Sequence, residues 1–347
     1  MALLPYLQQV TTGKSLAFDD AHQAMITILD GGVPDAVLAG FLVALKMKGE
    51  TADELAGFAR AMREKCVRVE TGDDISNDVI DIVGTGGDDA GTFNISTVAA
   101  MVLAGAGAKV AKHGNRAISG KVGSADVLEA LGVRIAMSAD EAARAVREIG
   151  LGFLFAPHLH PAMKHAQNVR RELKLRTVFN LLGPLANPAG AKRQLIGAPS
   201  ADAAKIMAEA LQILGTEHSF VVHGVAGGLD EVSSIGSTEG YEVRSTGITK
   251  YTVAKHTWLP EDFGIARASL DSLAGGDAAV NAKITVDILR GELGPKRDIV
   301  LLNAAVGLMV AGLADSPKAG IVLAAQAIDS RKALGILEKL RKNFPAA

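Results

Sequence analysis

One stretch of the chain combines glycines, hydroxyls and an amide in a way that suits a phosphorylated ligand. An apolar strand pattern, Val79 to Val83, runs into the glycine loop Gly84 to Asp88, and Asn94 to Thr97 then opens an apolar helix. Glycines let backbone N–H groups approach phosphate oxygens, and a helix N-terminus adds free N–H donors. The stretch fits neither G-x-G-x-x-G nor the Walker pattern. It predicts a phosphate site of another kind, or an ordinary strand–helix turn capped by Asn or Ser.

A second polar loop follows the next strand pattern, Lys109 to Ala111. It places a cation, an imidazole and an amide beside a glycine in Lys112 to Arg116, and it leads to Ser124, which we expect to cap a helix. Lysine suits phosphate as a point charge, and Asn115 can orient a ligand by donating and accepting hydrogen bonds. The alternative is a polar surface loop.

The third candidate is a basic stretch, residues 158–176, after the strand pattern Leu151 to Phe155. Arg170 or Arg171 could clamp a carboxylate through two parallel N–H bonds, although either could be purely structural. The stretch also contains three histidines, His158, His160 and His165. Because no H-E-x-x-H pattern accompanies them, we do not expect zinc.

The fourth candidate is an acidic pair, Asp230 and Glu231, which follows the strand pattern His218 to Val222 and a glycine pair. Adjacent carboxylates at a strand end can hold Mg²⁺, which prefers oxygen ligands and is usually shared with substrate phosphates. The alternative is a solvated acidic turn.

Composition excludes several classes of protein. The 347 residues carry a net charge of −2, which gives no basic field for nucleic acid. A single cysteine, Cys66, excludes an intramolecular disulfide and a cysteine-based zinc site. The apolar run 299–314 is interrupted by Asn303 and is too short to span a membrane, so a buried helix is expected. Because the first residues also lack signal-peptide features, we expect a soluble cytoplasmic protein.

The pattern of predicted elements divides the chain in two. Residues 1–72 read as helices only, including one opened by the capping box Thr51-x-x-Glu54. From residue 73 to 347, apolar strands alternate with capped helices, and a hairpin and two C-terminal helices follow. This alternation of strands and helices predicts an α/β fold with a mostly parallel sheet and helices on both faces. Since ligands bind at the carboxyl ends of such strands, we expect the four loops to hold a polyphosphate, a small acid and a bridging Mg²⁺.

The chain resembles the anthranilate phosphoribosyltransferase family over nearly its whole length, and the order of its motifs along the chain is specific to that family. The shared motifs are Gly84 to Asp88, Asn94 to Thr97, Lys112 to Arg116, Ser124 to Asp126, His160 to Lys164, Arg176 to Pro188 and Leu229 to Glu231. The resemblance implies the nucleoside phosphorylase/phosphoribosyltransferase-like fold. It also implies transfer of the phosphoribosyl group of phosphoribosyl pyrophosphate (PRPP) to the amine of anthranilate, the second step of tryptophan biosynthesis from chorismate. The products would be N-(5-phosphoribosyl)anthranilate and pyrophosphate.

The resemblance also implies roles for individual residues, although it assigns none of them as catalytic. PRPP would be bound by Gly84, Gly87, Asp88, Thr92, Asn94, Ser96, Thr97, Lys112 and Ser124. Anthranilate would be bound by Gly84, His113, Asn115, His160, Arg170 and Gly183. Mg²⁺ would be bound by Ser96, Asp230 and Glu231. A homodimer joined through the helical domain is implied, with a segment near residues 168–190 packing onto that domain.

Three positions depart from the family pattern. Leu159 stands where many members carry tyrosine, Lys174 where glycine is common, and Val122 where serine is frequent. Two other interpretations stay open: a nucleoside phosphorylase of related architecture, which would lack the acidic pair, and a nucleic-acid-binding relative, which would need a basic groove.

Overall fold

The first part of the chain forms a bundle of helices. The structure is a computed structural model and describes residues 2–86, 90–117, 122–247 and 250–346. The first four helices are α1 (Leu4–Thr11), α2 (Phe18–Leu29), α3 (Asp35–Lys48) and α4 (Ala52–Lys65). The predicted capping box is confirmed, because Thr51 N donates to Glu54 Oε2 over 2.9 Å and Glu54 N donates to Thr51 Oγ1. Glu54 is fully buried and pairs with Lys48 at 2.9 Å, so the cap also ties α3 to α4.

The core of this bundle includes residues from much later in the chain. Helices α9 (Lys164–Leu173) and α10 (Phe179–Leu185) contribute Ala166, Val169 and Leu182 to the apolar cluster that holds α2, α3 and α4. These helices are therefore anchored by burial of apolar surface against the bundle. The division of the chain into units 1–72 and 73–347 stays a prediction.

A seven-stranded sheet forms the centre of the rest, in the order β3-β2-β1-β4-β5-β6-β7. The strands are β1 (Val79–Gly84), β2 (Lys109–Gly114), β3 (Leu151–Phe155), β4 (Arg193–Gly197), β5 (His218–Gly224), β6 (Thr238–Gly247) and β7 (Lys250–Trp258). The first five are parallel, and β6 and β7 form the predicted hairpin at one edge. The predicted mostly parallel sheet is confirmed.

Helices cover both faces of the sheet. The remaining helices are α5 (Ile95–Gly105), α6 (Ser124–Ala130), α7 (Ala139–Arg144), α8 (Ala156–Leu159), α11 (Ala201–Leu214), α12 (Ala278–Leu289), α13 (Pro295–Val310), α14 (Pro317–Asp329) and α15 (Lys332–Asn343). Successive residues of a strand point to opposite faces. Accordingly, Leu195 belongs to the core under α5 and α13, whereas Ile196 belongs to the core shared by α11 and the bundle.

Several elements differ from the sequence prediction. Strand β2 continues to Gly114, so Lys112 and His113 are strand residues rather than loop residues. Strand β4 and helix α12 were not predicted. The apolar pattern of β4 is broken by Gln194, which is fully buried and donates to Pro184 O at 2.7 Å. The second of the two expected C-terminal helices, predicted over residues 317–342, is two helices, α14 and α15.

The long apolar run near the C-terminus forms the buried helix α13. The Asn303 amide that interrupts the run is fully buried, and it donates to Val232 O and accepts from Val232 N. It therefore holds the segment that follows Glu231. No helix in the described ranges is long and apolar enough to cross a membrane.

Candidate functional site

A cavity of about 450 Å³ lies at the carboxyl ends of the parallel strands. Eleven of the predicted site residues line it: Gly84, Thr92, Asn94, Ser96, Thr97, Lys112, His113, Asn115, Ser124, Asp230 and Glu231. The loops after β1, β2 and β5 thus meet at one edge of the sheet, as expected for an α/β fold. Gly87 and Asp88 lie outside the described residues.

The glycine loop is in direct contact with the acidic pair. Asp230 Oδ2 accepts hydrogen bonds from Gly86 N at 2.9 Å and Thr85 Oγ1 at 3.2 Å. A Cβ atom at Gly84 would lie 2.7 Å from the same oxygen. Only glycine therefore lets the end of β1 approach the carboxylate this closely.

Ser96, at the start of α5, links the second carboxylate to the cation Lys112 on β2. Ser96 N donates to Glu231 Oε1 at 3.1 Å, and Lys112 Nζ donates to Ser96 Oγ at 3.2 Å. Lys112 is only 3% exposed, and burial lowers its pKa, while nearby Asp81 and the acidic pair act in the opposite direction. Lys112 is therefore a buried cation under the influence of three nearby carboxylates.

The donor set of this cluster fits Mg²⁺. Asp230 and Glu231 supply carboxylate oxygens oriented by backbone N–H groups, and Ser96 supplies a hydroxyl. Within the described ranges, no group of three or more His, Cys, Asp or Glu side chains is arranged to hold a metal. A carboxylate pair is what Mg²⁺ uses when substrate phosphates and water complete its coordination.

Two histidines form a neutral buried pair at the cavity, of which only His113 lines it. His113 Nδ1 lies 3.0 Å from Gly183 O, and the rings of His113 and His160 are 5.1 Å apart. Burial lowers the pKa of His113 to about 3 and that of His160 to about 4, so both rings are neutral at pH 7. In the described structure neither Nε2 atom has a hydrogen-bond partner. With Nδ1 of His113 donating to a carbonyl, its Nε2 is an acceptor.

The predicted residues His160, Arg170 and Gly183 do not line the cavity, although two of them contact His113. Arg170 lies on α9 with its guanidinium 5.1 Å from the centre of the Phe179 ring. Within the described residues it pairs with no carboxylate, and burial lowers its pKa. Arg171 is exposed and donates to Asn168. Of the two arginines, Arg170 is the inward-facing one.

Some cavity residues were not found by sequence reasoning: Asn180, Gly275, Gly276 and Asn281. Asn281 Nδ2 donates to Asn94 Oδ1 at 3.0 Å, and Asn281 Oδ1 accepts from Gly276 N. The pair Gly275-Gly276 before an Asp cap is a turn-and-helix signal that could have indicated this wall.

One expected helix cap, at Ser124, is wrong. Asn94 stands at the N-cap position of α5, but its side chain makes no capping bond, because its amide bonds Val122 O and Asn281 instead. Ser124 is the first residue of α6 rather than its cap, and its hydroxyl donates to Asn115 O at 3.3 Å. Both side chains therefore connect separate walls of the cavity.

Comparison with known proteins supports this site. Residues 4–66 match the glycosyl transferase family, helical bundle domain, and residues 76–334 match the glycosyl transferase family, a/b domain. The anthranilate phosphoribosyltransferase of Solibacter usitatus is 54% identical over 330 residues, which cover 95% of each chain. That of Persephonella marina is 49% identical over 338 residues, which cover 97% of each chain.

Solved structures agree with the sequence comparison. The crystal structure of anthranilate phosphoribosyltransferase from Thermus thermophilus is 41% identical, with a TM-score of 0.90 and 99% of both chains covered. The enzyme from Saccharomyces cerevisiae in complex with PRPP and Mg is 30% identical, with a TM-score of 0.86 and 98% and 97% of the two chains covered. Sequence, fold and site together show that the chain belongs to the anthranilate phosphoribosyltransferase family.

Proposed function

We propose that this protein transfers the phosphoribosyl group of PRPP to the amine of anthranilate, which gives N-(5-phosphoribosyl)anthranilate and pyrophosphate. This is the second step of tryptophan biosynthesis from chorismate. The observation that carries the proposal is the cavity in which Lys112, the start of α5 and the pair Asp230 and Glu231 meet. It joins phosphate donors to a carboxylate pair, in a chain 54% identical to a member of the family.

The donor substrate fits the wall built from the strand ends. Phosphate oxygens need hydrogen-bond donors and positive charge, which the loop after β1, the start of α5 and Lys112 supply. Thr97 is 1% exposed, and its hydroxyl has no partner within the described part of the chain, so it is free to donate to a ligand oxygen. The predicted roles of Gly84, Thr92, Asn94 and Ser124, and of Gly87 and Asp88, belong to this proposal.

Asp230, Glu231 and Ser96 would hold Mg²⁺ on the donor side. When bound, the ion supplies positive charge that stabilises the pyrophosphate as it leaves. The complex of the Saccharomyces cerevisiae enzyme with PRPP and Mg supports the choice of metal. Hydrogen bonds from Gly86 N and Ser96 N keep both carboxylates oriented toward the cavity.

The acceptor fits the wall formed by β2, α9 and α10. Arg170 would clamp the anthranilate carboxylate, and His113, Asn115, His160 and Gly183 would line its path. A structure of the Saccharomyces cerevisiae enzyme in complex with 4-fluoroanthranilate supports this class of ligand. Since an aromatic amine is already neutral at pH 7, it needs orientation more than a strong base.

The chemistry then balances without a covalent enzyme intermediate. The bond between C1 of the ribose and the pyrophosphate oxygen breaks, and its electron pair leaves with the pyrophosphate. The amine nitrogen forms the new bond to C1 and loses one proton, which passes to the departing pyrophosphate or to water. Lys112 and the backbone N–H groups stabilise the negative charge that develops on the leaving group. Packing of α9 and α10 against the bundle would exclude water from the acceptor side.

The decisive experiment follows the fluorescence of anthranilate as it is consumed. We expect the signal to fall only when PRPP and Mg²⁺ are both present. Phosphorolysis of a nucleoside with inorganic phosphate, and no use of PRPP, would favour a nucleoside phosphorylase and contradict the proposal. Tight, salt-dependent DNA binding without turnover would favour the nucleic-acid-binding alternative.

We also infer that two copies pair through the helical bundle, as the family resemblance implies. Met47 on α3 is 83% exposed and Leu4 on α1 is 38% exposed, so apolar side chains lie on the bundle surface. Light scattering of the purified protein should give twice the chain mass, and Met47→Lys should shift it toward the monomer. The cytoplasmic location stays a prediction.

A further inference from the structure

The backbone ladder between the neighbouring strands β1 and β2 stops short of the cavity. β1 and β2 pair only at Val79 with Lys109 and at Ile80 with Val110, although both strands continue for four more residues. On its other side β1 pairs with β4 over five positions up to Gly84. Backbone groups that face the gap between β1 and β2 have therefore lost their ladder partners and need others.

Side chains satisfy the separated backbone groups. Asp81 Oδ1 accepts from His113 N at 3.1 Å, and Lys112 Nζ donates to Ile82 O at 2.7 Å. One bond thus runs from β1 to the backbone of β2, and the other runs from β2 to the backbone of β1. The Asp81 carboxylate and the Lys112 ammonium thus replace backbone hydrogen bonds that β1 and β2 do not make with each other here.

Asn187 completes the insertion from outside the two strands. Its Nδ2 donates to Asp81 Oδ2 at 2.8 Å and to Ala111 O at 2.9 Å, while its Oδ1 accepts from Ala189 N at 2.8 Å. Asn187 is 2% exposed and Asp81 is fully buried. Together they form a polar wedge, defined as Asp81 and Asn187, between the ends of β1 and β2.

Stability alone does not account for a carboxylate at this place. Burial raises the pKa of Asp81 to about 6, against the effects of Asn187, Lys112 and the backbone of His113. Replacing buried charged groups by well-packed apolar residues is often neutral or stabilising. The position of Asp81 between two strands that lead to the cavity therefore points to a role in shaping the site.

We propose that Asp81 is a positioning residue whose carboxylate, held by Asn187, replaces the backbone pairing between the ends of β1 and β2 and so fixes Lys112 at the wall of the cavity. The inference rests on the proposed function, since Lys112 there binds PRPP. Without the wedge, β2 would be free to form an ordinary ladder with β1, and the lysine would no longer be held at Ser96.

The test begins with Asp81→Asn, which keeps the size of the side chain and an oxygen for His113 N. It removes the negative charge, and it places an amide NH₂ group opposite the Asn187 Nδ2 that donates to the carboxylate in the wild type. Loss of one charge-assisted hydrogen bond predicts an increase of about 10- to 100-fold in the KM for PRPP. The KM for anthranilate should change less than threefold, and the thermal midpoint should stay near that of the wild type.

A double variant separates positioning from general damage. Lys112→Ala alone should weaken PRPP more than anthranilate. Adding Asp81→Asn to it should then raise the KM for PRPP less than about threefold, because residues that act as one unit are not additive. Fully additive losses would overturn the proposal.

The matched control lies at the opposite end of the sheet. Ser219→Ala removes a buried hydrogen bond of 2.6 Å to Thr216, so it should lower the thermal midpoint and leave the KM for PRPP unchanged. Equal effects of Ser219→Ala and Asp81→Asn on the thermal midpoint and on the KM for PRPP would show that Asp81 is only structural.

If Asp81→Asn does not fold, Asn187→Ala takes its place. An unchanged KM for PRPP in Asn187→Ala would also overturn the inference. Wild-type turnover tests the proposed function independently of these variants.

Discussion

The two walls of the cavity are built in different ways. On the donor wall, Lys112, Ser96 and Glu231 are joined to one another by hydrogen bonds, and they sit on strand ends and on the start of α5. On the acceptor side, Arg170 is not among the lining residues; its guanidinium lies over the Phe179 ring and has no carboxylate partner among the described residues. The donor wall is held together by bonds among its own residues and keeps the Thr97 hydroxyl for a ligand, whereas the Arg170 guanidinium has its carboxylate-binding capacity left for a ligand.

The difference follows from what holds each wall. The donor wall belongs to the sheet, whose strands are fixed by backbone ladders. The acceptor wall is carried by α9 and α10, whose apolar residues pack into the core of the bundle. Small movements of the bundle would therefore change the acceptor wall first. Domain closure that completes a site is a common use of such an arrangement.

Removing the carboxylates of the donor wall should give the largest effect. For Asp230→Asn combined with Glu231→Gln we expect turnover at low Mg²⁺ to fall by roughly 1,000-fold or more, because the charge of the leaving pyrophosphate loses its stabilisation. Steady-state rates across a Mg²⁺ titration measure it. Asp19→Asn combined with Asp20→Asn, an exposed adjacent pair on α2, is the control. Wild-type rates and Mg²⁺ dependence in the site variant would refute the metal assignment.

The acceptor wall can be broken without touching the donor wall. Arg170→Ala should cost about 2–4 kcal/mol, or 30- to 1,000-fold in kcat/KM for anthranilate, while PRPP affinity hardly changes. Arg170→Lys should rescue poorly because lysine lacks the planar fork. The exposed neighbour gives the control, Arg171→Ala, which should be mild. If only Arg171→Ala destroys activity, the wrong arginine has been chosen; if neither matters, the carboxylate is held elsewhere.

The neutral histidines predict how stability depends on pH. Their folded pKa values are about 3 and about 4, below the value of an unfolded histidine. Their contribution is therefore fully present above about pH 6.5 and is lost as pH falls, by roughly 2 kcal/mol per ring at pH 5. Denaturant unfolding at pH 7 and pH 5 should show a smaller loss in His160→Gln than in the wild type. An identical loss would mean that His160 is protonated in the folded protein.

The smallest expected effect tests the scaffold of the acceptor wall. Lys174 follows α9 with φ 49° and ψ 29°, a left-handed conformation that glycine adopts without strain. Lys174→Gly should raise the free energy of unfolding by up to about 1 kcal/mol, since relief of strain exceeds the added chain entropy. Arg331, with φ 63°, is the matched position outside the site. A loss of stability in Lys174→Gly would show that the lysine side chain stabilises this turn.

Local signals in the sequence predicted most of the fold. The bounds of α2, α11 and β3 agree with their capping residues, glycines and apolar runs. Strand β4 was missed because buried Gln194 breaks its apolar pattern, and its partner Pro184 O is visible only in three dimensions. Lys112 was placed in a loop because nothing local shows that a charged residue can continue a strand, with its side chain bonding a carbonyl of the neighbouring strand.

The donor wall was also easier to predict than the rest of the site. Glycines, hydroxyls and acids after strands are local signals, and the structure brings them together. Asn281 lies 187 residues from Asn94, the residue it bonds, and carries no motif of its own. The neutral state of His113 and His160 depends on burial by other elements, so it could not be predicted from their neighbours in the chain.

The bond between Asn94 and Asn281 also has a consequence for protein synthesis. Because the cavity is closed by a residue near position 281, a nascent chain with all its strands translated still lacks one wall of the site. Domains fold as units once their sequence has emerged from the ribosome. Substrate can therefore stabilise only a chain that is almost finished. Unfinished chains would depend on their apolar cores alone, and premature termination before α12 would leave a product that substrate cannot rescue.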